Sequence, residues 1–391
     1  MNYLEDFNLK DKKVLIRSDL NVPIKSGIIS SKKRIQASLP TILFAINSGA
    51  KVIVTSHLGR PMEGHFTEEE SLKPIVKYLS DYLNQDVRLI TDWIESPFQV
   101  DSGQVVVLEN CRFNNGEQEN DAELAKKYAE LADIFVMDAF GTAHRKHAST
   151  YGVAEYSDCA CSGILFSSEL KALNKVMKDP NHPMVAIVGG SKVSTKLSVL
   201  DALSDKVDQL ILGGGIANTF LKAQGFEIGK SLCEDDFLTS AEKIIKKLEK
   251  RGASLPIISD VICGKLLTED EPAIIKDISE VDSDDMIFDL GKNSMDGITK
   301  IVQSAKTILW NGPIGVFEFK QFSNGTELLA DAIAKSNAFS LAGGGDTIAA
   351  IEKFKVENNI SYISTAGGAF LEFVEGKKLP AIEILEKKCQ S

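Results

Sequence analysis

One pattern governs what this chain can fold into. A short apolar, β-branched run is followed by a glycine-rich or polar turn and then by a stretch of helical periodicity, again and again. The runs of the first half are KVLIRSDLNVP (13–23), KVIVTSHLGRP (51–61), VVVLENCRF (105–113) and IFVMDAFGTAHR (134–145). Those of the second are MVAIVGGSK (184–192), QLILGGGIAN (209–218), TILWNGPIG (307–315), FSLAGGGDT (339–347) and SYISTAGGA (361–369). Apolar runs this short, closed by turns, read as buried parallel strands, with helices such as SLKPIVKYLSDYL (71–83) crossing back between them. The fold class is therefore α/β, with two doubly wound, parallel-sheet (Rossmann-like) domains, because 391 residues exceed what one core usually organises. SSELKALNKVM (167–177) and the proline-bounded KDPNHP (178–183) fall between the two groups and read as a helical connector ending in a hinge. The expected division is 1–166 for the first domain and 167–391 for the hinge helix and second domain.

The formal net charge of −11 argues against general affinity for nucleic acid or an anionic membrane, so any anion must be met by a local basic cluster. Six cysteines, at 111, 159, 161, 233, 263 and 389, form no CxxC pair and read as reduced thiols. The opening MNYLEDFNLKDKK lacks the order of a signal peptide, and no run approaches a membrane span. A cytoplasmic protein is expected.

In open α/β sheets the ligand lies beyond the carboxyl ends of the strands, and there the two halves differ. Six of the seven arginines precede residue 146. Arg34, Arg60, Arg112 and Arg145 follow strands or open helices, whereas Arg17 and Arg88 lie in strand-like runs and read as structural or exposed. Arginine's planar fork grips carboxylate and phosphate in two-point contacts that lysine does not copy. A small substrate carrying both groups is the expected guest, with His57, Asp19 and Asn21 supplying further hydrogen bonds. Any one of these arginines alone reads as an ordinary surface residue; four at strand ends do not.

The second half puts glycine at its strand ends: GGSK, GGGIAN, NGPIG, GGGDT and AGG. Glycine lets backbone N–H groups and helix N-termini face phosphate or the flat face of a base. Two familiar fingerprints fail. GFEIGKS (225–231) spaces its glycines by three residues where the Walker loop has four, and GGGIAN lacks the third Rossmann glycine. Lys192 and Lys196 in GGSKVSTK are four apart, which at the start of a helix would stack their ammonium groups beside its N-terminus. In LAGGGDTIAA (341–350), Asp346 would repel phosphate unless the nucleotide brings magnesium, which takes one or two carboxylates. The other reading of Asp346 is a plain helix N-cap.

RSDLNVP, RIQASLPTI, TSHLGRP, LENCRF, DAFGTAHR, VGGSKVSTKL, LGGGIANTFL, WNGPIGVFE, GGGDTIAA and GGAFLEFVEGKKLP, in this order and across the whole chain, resemble the phosphoglycerate kinase family. That resemblance implies a first domain that binds 3-phosphoglycerate through Asp19, Asn21, Arg34, His57, Arg60, Arg112 and Arg145. It implies a second domain that binds MgADP or MgATP through Lys192, Lys196, Gly213, Gly214, Asn311, Pro313, Glu318, Gly344, Gly345, Asp346 and Thr347, with Asp346 on the metal. It also implies that the segment from about 377 packs back on the first domain and that the protein is a monomer working in glycolysis. The reaction would move a phosphoryl group between ATP or ADP and 3-phosphoglycerate or 1,3-bisphosphoglycerate, with Arg34, Lys192 and Lys196 as the catalytic cations. The acceptor carboxylate is already ionised at pH 7, which fits a site without an acid–base pair.

Two departures stand out. Ala366 occupies STAGGA where the family usually has a glycine, and DLGKNS (289–294) replaces the commoner DIGP. The competing readings are a catalytically inactive phosphate-ligand protein and a dinucleotide-binding protein on the same fold.

Overall fold

The structure, a computed structural model, describes residues 1–390. The chain forms two compact units, Met1–Lys171 joined by the segment from Lys378 onward, and Ala172–Lys377.

In the first unit the strands are β1 (Lys13–Arg17), a small hairpin of β2 (Ile24–Lys25) and β3 (Ile28–Ile29), β4 (Lys51–Thr55), β5 (Arg88–Ile90), β6 (Val105–Leu108), β7 (Ile134–Met137) and β8 (Ala160–Ser162). Helices α1 (Lys33–Asn47), α2 (Lys73–Leu83), α3 (Ala122–Glu130), α4 (Val153–Tyr156) and α5 (Ile164–Met177) follow them, and α5 runs on past the division at Lys171. Six strands pair in parallel in the order β5-β6-β4-β1-β7-β8. Four consecutive buried residues in each of β6 and β7 explain their continuous apolar sequence, since both faces of a parallel sheet are covered. Helix α2 shows how the covering works: Pro74 opens it, Ile75, Val76 and Leu79 share its inner face, and Asn84 in the left-handed region ends it. The chain returns to this unit at its end, where Ala381 N donates to Ala143 O at 3.1 Å and Lys388 Nζ to Ser157 O at 2.8 Å.

The second unit is built on β9 (Met184–Gly189), β10 (Gln209–Gly213), β14 (Thr307–Asn311), β15 (Phe339–Ala342) and β16 (Tyr362–Ile363), paired in parallel in the order β10-β9-β14-β15-β16. Between β10 and β14 the chain makes an antiparallel sheet of β11 (Asp260–Gly264), β12 (Ile274–Asp277) and β13 (Met286–Leu290), which the sequence pattern does not announce. Its helices are α6 (Leu197–Ser204), α7 (Gly214–Ala223), α8 (Leu238–Lys250), α9 (Lys292–Ser304), α10 (Asn324–Ala334), α11 (Gly345–Phe354) and α12 (Gly367–Val374); α13 (Pro380–Gln390) belongs to the first unit. Trp310 is fully buried at the centre, its indole N–H satisfied by Gly312 O at 2.9 Å. No helix among the described residues is long and apolar enough to cross a membrane.

Both departures have a local account. Ala366 has φ −97°, open to any L-residue, so its methyl carries no backbone strain. DLGKNS ends β13 and starts α9, where the buried Asp260 carboxylate accepts from Asn293 N at 3.0 Å and Ser294 N at 2.7 Å and supplies the cap. Lys292 holds the first helical position, where the proline of DIGP would be favoured but is not required.

Candidate functional site

The basic side chains of the first unit gather at the carboxyl ends of its central strands. Arg17 ends β1, His57 follows β4, Arg112 lies on the tight turn Cys111–Phe113 after β6, Arg145 follows β7, and Arg34 is in the first turn of α1. Sequence-distant residues meet there because all six strands run parallel. Arg34 Nη1 lies 3.4 Å from Asp19 Oδ1 and 3.0 Å from Asn21 O, while Asn21 Oδ1 accepts from Gly59 N at 3.0 Å. Arg112 donates to Gly59 O, and its buried Nε has no partner among the described residues. Arg60 is exposed, its backbone N–H held by Glu70 at 2.8 Å.

Charge crowding is the dominant feature. Burial lowers the pKa of the Arg112 guanidinium, and Arg145 lowers it further; Arg145 is itself depressed by burial and then by Arg60 and Arg17. His57 is pushed well below the ordinary histidine value, first by burial and then by Arg17, Arg112, Arg145 and Arg34, in that order. Like charges held this close raise the free energy of the site until an anion enters.

Arg17 is the residue that sequence reasoning passes over. It is 1% exposed and uses every nitrogen of its guanidinium: Nε donates to Ser149 Oγ at 2.9 Å, Nη1 to Ser18 O at 2.6 Å, and Nη2 lies 3.3 Å from His57 Nδ1. Ser149 Oγ in turn donates to the fully buried Glu117 at 2.6 Å. An arginine inside an apolar run was itself the signal, since a buried guanidinium needs a complete set of partners.

In the second unit the glycine-rich strand ends meet. A Cβ on Gly189 or Gly213 would strike Pro313 O, so these two strands approach the Asn311–Ile314 turn closer than any side chain permits. Asn311 is the hub. Its Nδ2 donates to Gly343 O at 2.7 Å, its Oδ1 accepts from Lys196 Nζ, and Thr347 Oγ1 accepts from Gly312 N at 2.7 Å. Burial lowers the Lys196 pKa, with Asp346 acting against it. Gly344, at φ +100°, is the N-cap of α11.

Two sequence expectations need correction here. Lys192 and Lys196 do not stack on a helix. Lys192 sits exposed on a turn before α6, and Lys196 is that helix's N-cap. Glu234 holds the turn by accepting from Ser194 N at 2.8 Å and Ser194 Oγ at 2.7 Å, which keeps these residues from joining the helix. Asp346 is not an N-cap, because Gly344 takes that place and leaves Asp346 exposed in the first turn of α11. Gly214 and Gly345 open α7 and α11, and Glu318 is exposed beyond the Asn311–Ile314 turn.

Two α/β units, each built on a parallel sheet, one with arginines at its strand ends and the other with glycines and lysines, fit the class of phosphotransferases. A family-wide profile for phosphoglycerate kinase matches residues 4–377. The phosphoglycerate kinase from Coxiella burnetii is 55% identical with a TM-score of 0.96, each chain covered to 99%. That from Pyrococcus horikoshii OT3 is 33% identical with a TM-score of 0.83 and full coverage of both chains. The chain belongs to the phosphoglycerate kinase family.

Proposed function

We propose that this chain transfers a phosphoryl group reversibly between MgATP and the carboxylate of 3-phosphoglycerate, giving ADP and 1,3-bisphosphoglycerate. The observation that carries the acceptor side is the crowding around His57, where the charges that depress the ring are all arginines. Such a site calls for a ligand with more than one negative group, and a phosphorylated carboxylate supplies two. In this reading Asp19 and Asn21 hold the hydroxyl, while Arg34, His57, Arg60, Arg112 and Arg145 hold the anions. No general base is required of them, because the attacking carboxylate is ionised at neutral pH.

On the donor side, Gly213, Gly214, Gly344 and Gly345 give the nucleotide close backbone approach, and the N-terminus of α11 favours its phosphates. In this reading Asn311, Pro313, Glu318 and Thr347 would complete the nucleotide site. Asp346 fits magnesium: it is an exposed hard oxygen donor beside that helix N-terminus, with Lys196 as its electrostatic partner. Bound there with the nucleotide, the ion would neutralise phosphate charge. Arg34, Lys192 and Lys196 would stabilise the charge spread over the transferring group.

Transfer requires acceptor and donor to be brought in line. Asn181 O, Pro183 O and His182 Nδ1 are bonded to Thr307, Lys306 and Asp208 of the second unit, so the proposed pivot lies upstream of 178–183, within α5. Small-angle scattering should show the radius of gyration fall most when both ligands are present, and an unchanged value in a verified ternary complex would remove the pivot. A coupled assay with 3-phosphoglycerate and MgATP tests the activity itself. Nucleotide turnover independent of 3-phosphoglycerate would refute the acceptor assignment. The finer expectations of a cytoplasmic monomer belong to this reading.

A further inference from the structure

Three contacts engage the three nitrogens of the Arg17 guanidinium, one each, and each has a chemical meaning. Arginine carries only donors and stays protonated. The 3.3 Å approach of Nη2 to His57 Nδ1 is therefore a hydrogen bond only if Nδ1 offers its lone pair. That leaves the ring proton on Nε2. We propose that Arg17 is a positioning residue that fixes His57 as its neutral Nε2–H form, so that the ring meets the acceptor substrate as a hydrogen-bond donor rather than as a cation or a base. This rests on the acceptor reading above for the identity of the ligand.

The contacts behind Arg17 keep the arrangement in place. Ser149 Oγ accepts from Arg17 Nε at 2.9 Å and donates to Glu117 Oε1 at 2.6 Å, while Ser149 N donates to Glu117 Oε2 at 3.1 Å. The hydroxyl thus spends its single proton on Glu117 and its lone pair on Arg17, so donation runs outward from the guanidinium, through Ser149 to Glu117 on one side and to His57 on the other, and the first branch holds the fork in place for the second. Glu117 and Ser149 are both fully buried, and Arg17 is 1% exposed. Arg17 therefore acts on substrate only through His57.

The charged groups facing His57 agree with a neutral ring. Arg17 comes from β1, Arg112 from the turn after β6, Arg145 from the segment after β7 and Arg34 from α1, and all of them oppose a proton on the second nitrogen. A neutral donor has an advantage in this setting. An imidazolium would add a further positive charge to the crowd, whereas an N–H adds direction without charge.

The test is nitrogen-15 NMR of the full-length protein, labelled at histidine and read without substrate between pH 5 and 8. His57 should show a protonated Nε2 and a lone-pair Nδ1, unchanged across that range. Arg17→Lys keeps the charge but loses the fork, and should let His57 populate both tautomers. It should also raise KM for 3-phosphoglycerate by roughly tenfold, with KM for MgATP within about twofold of wild type. Should Arg17→Lys fail to fold, Ser149→Ala removes one hydroxyl only and should move both readouts in the same direction. A wild-type Nδ1–H form, ordinary titration of His57, or an unmoved His57 spectrum in the variants would overturn the proposal. Absence of turnover with 3-phosphoglycerate in the wild type would instead sink the acceptor reading, since the tautomer is observed in the free protein.

Discussion

Replacing Gly344 with alanine tests the donor side by geometry alone. The residue has φ +100° and ψ 147°, a region that is essentially closed to residues with a Cβ, and occupying it costs about 1–3 kcal/mol. The new methyl would stand 2.7 Å from Asn311 Nδ2 and 3.6 Å from Thr347 Oγ1. Asn311 has little room to yield, being 2% exposed and bonded to Gly343 O and Lys196. Crowding of this kind adds about 1–3 kcal/mol. A total near 3 kcal/mol lowers Tm by roughly 6–12 °C for a unit of this size. As Asn311 moves, Lys196 loses its partner, so KM for the nucleotide should rise at least about tenfold, the worth of one charged hydrogen bond. Thermal melting and steady-state kinetics give both numbers. Gly345→Ala is the internal control on stability: a Cβ there meets nothing within 4 Å, and no melting loss is expected. A Gly344→Ala protein that melts within a degree of wild type would refute the reasoning.

Three further outcomes are expected. Arg34→Ala should cut kcat by about 100-fold or more while leaving nucleotide affinity intact, because its charge serves the transferring group; a change confined to the KM for 3-phosphoglycerate would make it a binding residue only. Asp346→Asn should weaken MgATP binding far more than binding of metal-free ATP in calorimetric titrations, and equal losses would show that the carboxylate does not serve the cation. Asp138 is fully buried and its pKa is pushed up to about 7 by burial, against hydrogen bonds from Thr41 and from the backbone of Phe166 and Leu165. The native state therefore binds this proton more tightly than the unfolded chain does, and stability is lost as pH rises from about 4 to about 7. Relative to wild type, Asp138→Asn should gain stability over that window, by up to a few kcal/mol on the order of the shift; denaturant titrations with parallel pH dependence in both proteins would contradict this.

How far the sequence could be read depended on the range of the interactions involved. Runs such as VVVL and IFVM announce buried parallel strands because the covering of both faces is written into consecutive residues. The glycine loops announce close backbone approach because no other residue fits against Pro313 O. The antiparallel sheet β11-β12-β13 is not announced, since β12 is largely exposed and its partners are separated by polar loops. Arg17 is visible but ambiguous: its meaning lies in Ser149 and Glu117, a hundred residues or more along the chain. The turn that separates Lys192 from α6 is hidden from the sequence for a similar reason, because the carboxylate that caps it is forty residues away at Glu234.

The return of the chain to its first unit at Lys378 makes the second unit an insertion in the first. Ala172–Lys377 is a continuous stretch and has all its residues once the chain has been made that far. The first unit does not. Leu379, Ala381, Ile384 and Leu385 are each no more than 1% exposed, and they arrive only after every residue of the second unit has been synthesised. During synthesis the arginine-bearing unit must therefore wait with an unfinished core while its neighbour is already able to close. The unit begun first is thus the one completed last, and its unfinished core is exposed for longer than that of its neighbour.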